Sequence, residues 1–475
     1  MKKELRWFDY ITININWFAL TTRSQVLTPL IIPLLVQQFV GEANKGSALG
    51  TMRLYALMAA VLIQALMGLL SDRNTSRFGR RRPFIFVGVL LEVIILTAIG
   101  FTANLEGMTG YWVLFALYVL SMIGSNISHA ATQGLIPDMV PTEKKGLASG
   151  IKALLELPLP LIFASFVVAG MIERGNLWGA LISLLTIMVI SMAITMFVRE
   201  EPLIDEQPPI NWEPIIRLML MTGVFTVVIL GSGWFVKQIL VLLEGLSRTQ
   251  MILLGGIGGI LGMAIAIFIG VIVSLRISLH EEIHDHRSFM WWVINRLAFL
   301  VAANNLAGFM FYFLQERFPE FSGTGAAGPA ARIVMFVGIF ILISAVPSGW
   351  LSDKFGKKRV SGVAGFLVGI GAAIVIFAPE VGGIMYSGGA VVGLGVGSFY
   401  SANWALGTEI VPEGQAGKFL GLSNLAGAGA GAIGAYIGGP IADNVSYVLL
   451  MTIYGSMAVL STLALLGIKE PASKK

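Results

Sequence analysis

GLLSDRNTSRFGRRRP, from Gly68 to Pro83, returns later in the chain as GWLSDKFGKKR, from Gly349 to Arg359, and each copy stands at the end of a long apolar stretch. A second pair lies downstream in the same order: LIPDMVPTEKKG (Leu135 to Gly146) and LGTEIVPEGQAG (Leu406 to Gly417), which set Asp138 opposite Glu409 and Pro141 opposite Pro412. Two landmarks in one order read as an internal duplication, and a basic loop following the second apolar stretch of each copy gives both copies the same orientation. The first copy's six apolar stretches end near residue 198, whereas Asp72 and Asp353 are 281 residues apart. The surplus falls on 199–288, which holds a polar linker, REEPLIDEQPPINWEP, and two further apolar stretches ending in Arg276 and the polar HEEIHDHRS. The sequence therefore predicts three parts: a six-helix bundle over 1–198, a linker with two inserted helices over 199–288, and a second six-helix bundle over 289–475.

Composition sets the solvent. Of 475 residues, 56% are hydrophobic and 12% charged, and a water-facing surface needs roughly twice that charged fraction. Stretches long enough to cross a bilayer, roughly 20 residues each, number fourteen, so the expectation is an all-α integral membrane protein. The basic loops at 73–82, 144–145 and 354–359, with Lys469, Lys474 and Lys475, fall on one side when the amino terminus is inside, placing about 22 Lys/Arg in the cytoplasm. Both termini are then cytoplasmic, and the start, MKKELRWFDYITININW, reads as a retained first helix. The net charge of +5 is accounted for by these loops, and no basic patch interleaved with aromatics points to nucleic acid. Zero cysteines and four histidines leave no thiolate site and little for a metal cage, and no cofactor is expected.

The string QALMGLLSDRNTSRFGRRRPFI (Gln64 to Ile85) resembles the sucrose/proton symporters and the related glycoside-cation symporters of the major facilitator superfamily. The resemblance implies paired six-helix bundles, alternating access, a proton and a sugar as substrates, and a monomer. Three positions depart from it: Ala65 follows Gln64 in place of proline, and the helix-four carboxylate and arginine of the plant-type sucrose symporters fall on Met122 and Gln133. The two inserted helices also depart from that branch and match the peptide symporters in layout.

A charge at mid-bilayer costs at least ~2.5–3.5 kcal/mol, so each one needs a partner or an aqueous cavity. Arg23 lies near the centre of the first span among Thr21, Thr22, Ser24 and Gln25. Glu92 and Glu156 reach about 13–15 Å into spans three and five. An acid balanced against Arg23 can load and release a proton as the cavity opens to either side. Glu156 is the first candidate because the resemblance makes helix five line the cavity. Lys152 and Glu156, four apart on one helical face, also fit a static pair. His129, a further proton candidate, equally fits a packed histidine.

Amides and aromatics suit a hydroxyl-rich ligand, through paired donors and acceptors and a ring against its C–H face. Arg23, Gln25, Gln64, Asn126, Asn295, Arg296, Asn304, Asn305, Asn403 and Trp404 form that set, and interhelical bonding is the competing use. Gly68, Asp72, Arg73, Arg77, Arg80 and their counterparts Gly349, Asp353 and Lys354 read as gating elements, each aspartate docking on the positive amino end of a helix of the other half. The resemblance implies those docking points, near Gly417 for Asp72 and near Gly146 for Asp353. Arg81 and Arg82 read as topology anchors. Pro29, Pro33, Pro158 and Pro160 predict kinks in spans one and five. GGIGGILG (Gly255 to Gly262) and LAGAGAGAIGAYIGG (Leu425 to Gly439) predict close helix packing. No nucleophile, base and orienting group share a motif, so an enzyme is not expected. The expected activity is secondary active transport of a small glycoside with a proton across the cytoplasmic membrane. Export of lipophilic compounds, or a non-transporting assembly factor or sensor on the same scaffold, are the alternatives.

Overall fold

The computed structural model describes residues 5–200, 202, 209–279, 286–411 and 416–469, with side chains for all of these except 279 and 416–426. Within them every regular element is a helix. The long ones are α1 (Trp7–Val40), α2 (Glu42–Asp72), α3 (Arg82–Thr102), α4 (Gly107–Met139), α5 (Thr142–Glu173), α6 (Leu177–Thr195), α7 (Glu213–Leu242), α8 (Arg248–Ser278), α9 (Arg287–Gly308 and Met310–Arg317), α10 (Gly323–Phe355), α11 (Lys357–Phe377), α12 (Gly383–Ile410), α13 (Ala416–Asn444) and α14 (Tyr447–Gly467). Eleven are each long and apolar enough to cross a membrane, and the two pieces of α9, bent by 58°, make a twelfth. With α12 and α13, of 28 and 29 residues, the expected fourteen are present.

Local chemistry sets the ends. Pro83 opens α3, where a missing N–H costs nothing. Asn176 and Ser446 cap α6 and α14, accepting from Gly179 N at 2.8 Å and Leu449 N at 3.0 Å. The repeated loop closes alike in both copies: Gly79 at φ +101° and Gly356 at φ +97° take the left-handed turn that glycine tolerates.

Two compact units result, Met1–Val40 with Ala59–Leu218, and Gly41–Met58 with Met219–Lys475. The amino-terminal half of α2 thus belongs to the second unit. The anchor is Asp443 on α13, whose carboxylate oxygens accept from Gly46 N at 2.8 Å and Ser47 N at 2.7 Å. A side chain at Gly46 has no room, since its Cβ would lie 2.8 Å from Gly439 O and 2.7 Å from Asp443 Oδ1. Beside it the buried Lys45 donates to Gln315 Oε1 at 2.8 Å and sits 4.6 Å above the Tyr312 ring. A carboxylate on a helix amino end contributes about 0.3–2 kcal/mol, more when partly buried.

Glycine lets helices approach inside each unit. In the first, Gly88 on α3 meets Gly124 and Ser128 of α4. In the second, Gly371 on α11 meets Gly388 and Val392 of α12, and Gly259 and Gly262 of α8 take Ile441, Ile453 and Val236. The prolines act locally, as expected. α1 widens into a π turn at Leu27–Ile31, around Pro29 and just before Pro33. α5 breaks at Leu157, ahead of Pro158, and widens again at Ala164–Val168.

Candidate functional site

The first unit holds a charged pair sealed in its interior. Arg23 Nε donates to Glu92 Oε1 at 2.7 Å, and both side chains are 1% exposed. Ser121 on α4 joins them: its hydroxyl donates to Glu92 Oε1 at 2.7 Å and accepts from Arg23 Nη2. Arg23 Nη1 reaches Met122 Sδ at 3.7 Å. Oε1 is therefore saturated, while Glu92 Oε2 is buried without a hydrogen-bond partner. It faces Gly124, where a Cβ would come within 3.1 Å. Such a pair is costly to bury and costlier to break, because removing one partner leaves the other charge uncompensated. Glu92 thus partners Arg23, and Glu156 does not.

Glu156 instead faces Lys152 at 3.4 Å and is 40% exposed on α5. Lys152 Nζ lies 3.9 Å from the centre of the Trp17 ring, and His129 meets that ring edge-on at 5.2 Å. His129 Nε2 is 3.3 Å from Gln133 Nε2. Lys152, Glu156, Trp17, His129 and Gln133 therefore form a second, partly exposed polar group. Asn126 is buried and donates to Met122 O at 2.8 Å, whereas Gln25 and Gln64 are half-buried.

In the second unit the amides fall into two sets. Asn403 donates to Asn295 Oδ1 at 2.8 Å, Asn295 donates to Ser461 O at 2.9 Å, and the Trp292 indole donates to Asn403 O at 2.9 Å. Asn305 binds Val301 O and Ala430 O, and Asn304 binds Gly427 O. These bonds stitch α9 to α12, α13 and α14. Arg296 stands apart. Its Nη1 donates to Asn403 Oδ1 at 3.3 Å, and its guanidinium lies 5.3 Å from the Trp404 ring and 5.8 Å from the Trp292 ring. A small cavity of about 30 Å³ in this unit is lined by apolar groups such as Leu306, Ile333 and Met451, and offers nothing to a polar ligand.

The repeated loops carry ion pairs at matching places. Arg81, expected as a topology anchor, is the buried centre of the first. It pairs with Asp72, reaches Asp138 Oδ2 at 2.9 Å and donates to Ser71 Oγ at 2.6 Å. Arg80 also pairs with Asp138, and that bond holds its guanidinium above the ordinary range. Glu200 closes the loop, accepting from Arg81 N at 2.7 Å and Arg82 N at 3.1 Å. Burial nevertheless pushes its carboxyl up, against the pull of those N–H groups. In the second copy Lys357, the counterpart of Arg80, pairs with Glu409, the counterpart of Asp138. A run of arginines hid which one goes inward; the echo of Asp138 in Glu409 was the available signal. Asp72 is 54% exposed. Arg73 donates to Pro209 O at 3.5 Å, and Gly68 O accepts from Ser71 Oγ at 3.1 Å. Arg77 is exposed against Phe78, Asp353 is exposed, and Lys354 lies over Trp350. Gly349 approaches Ser401. Pro412 to Gln415, the 280–285 segment, Lys474 and Lys475 lie outside the described residues, as does side-chain detail at Gly417.

Three kinds of likeness to known proteins bear on this arrangement. The sucrose transport protein SUT1 of Oryza sativa subsp. japonica is 32% identical over 110 residues, covering 20% of this chain and 20% of that protein. SUC3 of Arabidopsis thaliana, also a sucrose transport protein, is 40% identical over 53 residues, 11% of this chain and 9% of its own. The chain thus aligns with about a fifth or less of the length of these relatives. By fold, a D-xylose-proton symporter superposes with a TM-score of 0.65 at 15% identity, covering 99% of this chain and 100% of its own. The nucleoside transporter NupG superposes at 0.65 and 11% identity, covering 96% and 99%. The Major Facilitator Superfamily matches residues 15–317 and 297–475. Fourteen membrane-length helices, a loop repeated with its ion pair, and a family match along nearly the whole chain converge: the protein is a multi-pass membrane protein and belongs to the Major Facilitator Superfamily.

Proposed function

We propose that this chain is a proton-coupled symporter that carries a small glycoside across the cytoplasmic membrane by alternating access, working as a monomer with both termini in the cytoplasm. Residues 1–198 and 289–475 act as the two moving bundles, and 199–288 is an insertion between them. The observation that carries the reading is the state of Glu92: one oxygen saturated by Arg23 and Ser121, the other buried and unpartnered. A proton added at Oε2 cancels the carboxylate charge and satisfies that oxygen. Arg23 is then released from its counter-charge and free to donate to ligand hydroxyls. Loss of the proton restores the pair and expels the ligand from Arg23. Coupling follows, because ligand and carboxylate compete for one guanidinium.

Met122 supports this assignment. The resemblance to plant-type sucrose symporters places a helix-four carboxylate at that position, and here its sulfur lies on Arg23 at 3.7 Å. The acid is supplied from the adjacent helix, by Glu92, to the same guanidinium. The relatives' names support a sugar as cargo.

The test is uptake of labelled disaccharide into proteoliposomes under an inward proton gradient. Glu92→Gln abolishes accumulation against a gradient and retains equilibrium exchange. Glu156→Gln retains both. Accumulation by Glu92→Gln at the level of the unmodified protein removes Glu92 from the mechanism.

A further inference from the structure

The acids that meet the first repeated loop are all in use. Asp138 is shared by Arg80 and Arg81, Asp72 pairs with Arg81, and Glu200 accepts from the backbone N–H groups of Arg81 and Arg82. Among the described residues no carboxylate pairs with the side chains of Arg77 in the loop, Arg82 at its end or Arg199 beside Glu200. Arg77 and Arg199 are exposed, whereas Arg82 is half-buried and its Nε is buried without a hydrogen-bond partner. Its register on α3 says what it faces. Gly100 lies 18 residues further on, about five whole turns, so it shares the face of Arg82, and there Leu181 and Trp178 of α6 cover it. Glu200, just past the other end of α6, touches Arg81 and Arg82. The two helices therefore run antiparallel and side by side, and Arg82 stands in their seam where it reaches the loop. The seam is open on its outer side: Phe86, Leu90 and Ile94 along α3 and Phe197 past the end of α6 are exposed, and on membrane-spanning helices such groups face acyl chains. A topology anchor needs only a charge near water; it does not need a guanidinium set between two helices at the rim of a lipid-facing wall.

From this arrangement we infer that the seam of α3 and α6 binds an anionic phospholipid, with the headgroup phosphate on Arg82 and an acyl chain along Phe86, Leu90 and Ile94. A guanidinium forks onto a phosphate through two N–H groups. A phosphate oxygen entering the seam meets the demand for an acceptor that Arg82 Nε leaves open. Arg77 and Arg199 add positive charge on either side, so a headgroup of net negative charge is favoured over a zwitterionic one, whose own cation cancels the phosphate. The lipid belongs to the leaflet on the side of the repeated loops, and the site is independent of the cargo.

Native mass spectrometry and melting temperatures of the delipidated full chain in detergent test this, with dioleoyl phosphatidylglycerol, dioleoyl phosphatidylcholine and glycerol 1-phosphate as probes. Phosphatidylglycerol binds about tenfold tighter than phosphatidylcholine, the range of a charge-assisted contact, and raises the melting temperature. Glycerol phosphate neither binds nor competes, because it has no chain to lay along the wall. Arg82→Gln removes the preference and leaves the lipid-free melting temperature unchanged, since the backbone N–H that serves Glu200 stays. Arg82→Lys keeps part of the preference, because the charge remains while the fork is lost. Phe86→Ala weakens both lipids and leaves their ratio unchanged, and Arg276→Gln, at an exposed arginine of α8 in the second unit, changes nothing. Equal affinity for the two lipids, a preference that survives Arg82→Gln, or one lost as fully in Arg276→Gln overturns the inference. Glycerol phosphate bound through Arg82 as tightly as phosphatidylglycerol overturns it as well, and marks a site for soluble phosphate esters instead.

Discussion

Replacing Arg23 by Met and Glu92 by Leu, singly and together, tests whether the pair in the first unit is a true buried ion pair. Both side chains are 1% exposed and joined at 2.7 Å. With charge centres roughly 4 Å apart and an effective dielectric constant of about 20, their attraction is about 4 kcal/mol. Removing either partner strands the other charge, so each single variant loses about 3–5 kcal/mol of stability. The double variant has no charge to strand. It lies between unchanged and about 1–4 kcal/mol more stable, as apolar replacement of buried pairs has proved. The assay is denaturant unfolding in detergent micelles, followed by helicity, with gradient-driven uptake measured on the same preparations. The double variant is folded and inactive in coupled uptake. Single losses below about 1 kcal/mol, or a double loss equal to the sum of the singles, would refute the claim that the two charges neutralise each other in place.

Three further outcomes are expected. In the Glu92→Gln background, Met122→Asp restores a carboxylate beside Arg23 from α4 and recovers part of the gradient-driven accumulation; no recovery above Glu92→Gln alone argues against the shared-guanidinium mechanism. Asp443→Ala removes the cap on the amino end of α2 and lowers stability by about 1–2 kcal/mol. A cysteine placed at Ser47, in a chain with no other, then reacts faster, and an unchanged rate counts against the anchor. Burial holds Glu200 above its ordinary 4.5, so the folded chain keeps a proton that the unfolded chain gives up. Its contribution is fully present below about 4.5 and is lost as pH rises toward the raised value. Glu200→Gln removes that decline from a melting-temperature series between pH 4 and 8, and identical slopes in the two proteins contradict it.

Much of this was readable from composition and spacing. Fourteen apolar stretches and the doubled loop lead to the helices observed, because lipid leaves a backbone few other choices. The cost of burying charge picked out Arg23, Glu92 and Glu156 without any coordinates; the first two are buried, whereas Glu156 is 40% exposed. Partners across helices were not readable. Whether Arg23 meets Glu92 or Glu156 depends on the rotation of three helices, which a rise per residue does not encode. Lys152 and Glu156 were readable, since four residues on one helix fix their proximity. Likewise Arg81 and Arg82 are neighbours in sequence, yet only Arg81 is drawn inward to Asp72 and Asp138. The grouping of residues 41–58 with the second unit rests on partners such as Asp443 and Gln315, hundreds of positions away, and no local pattern announces it.

The π turn at Leu27–Ile31 begins four residues after Arg23, with Ile32 N bonded back to Leu27 O. A helix with one residue too many in a single turn holds a dislocation, and dislocations can glide. Shifting it past Arg23 would swing that side chain by about 100° around the helix axis while both ends of α1 stayed where they are. On the mechanism proposed above, the ratchet that moves a guanidinium from its acid to a cargo would then be a change of winding inside one helix, and deleting one residue between Leu27 and Ile31 would freeze it at a single setting.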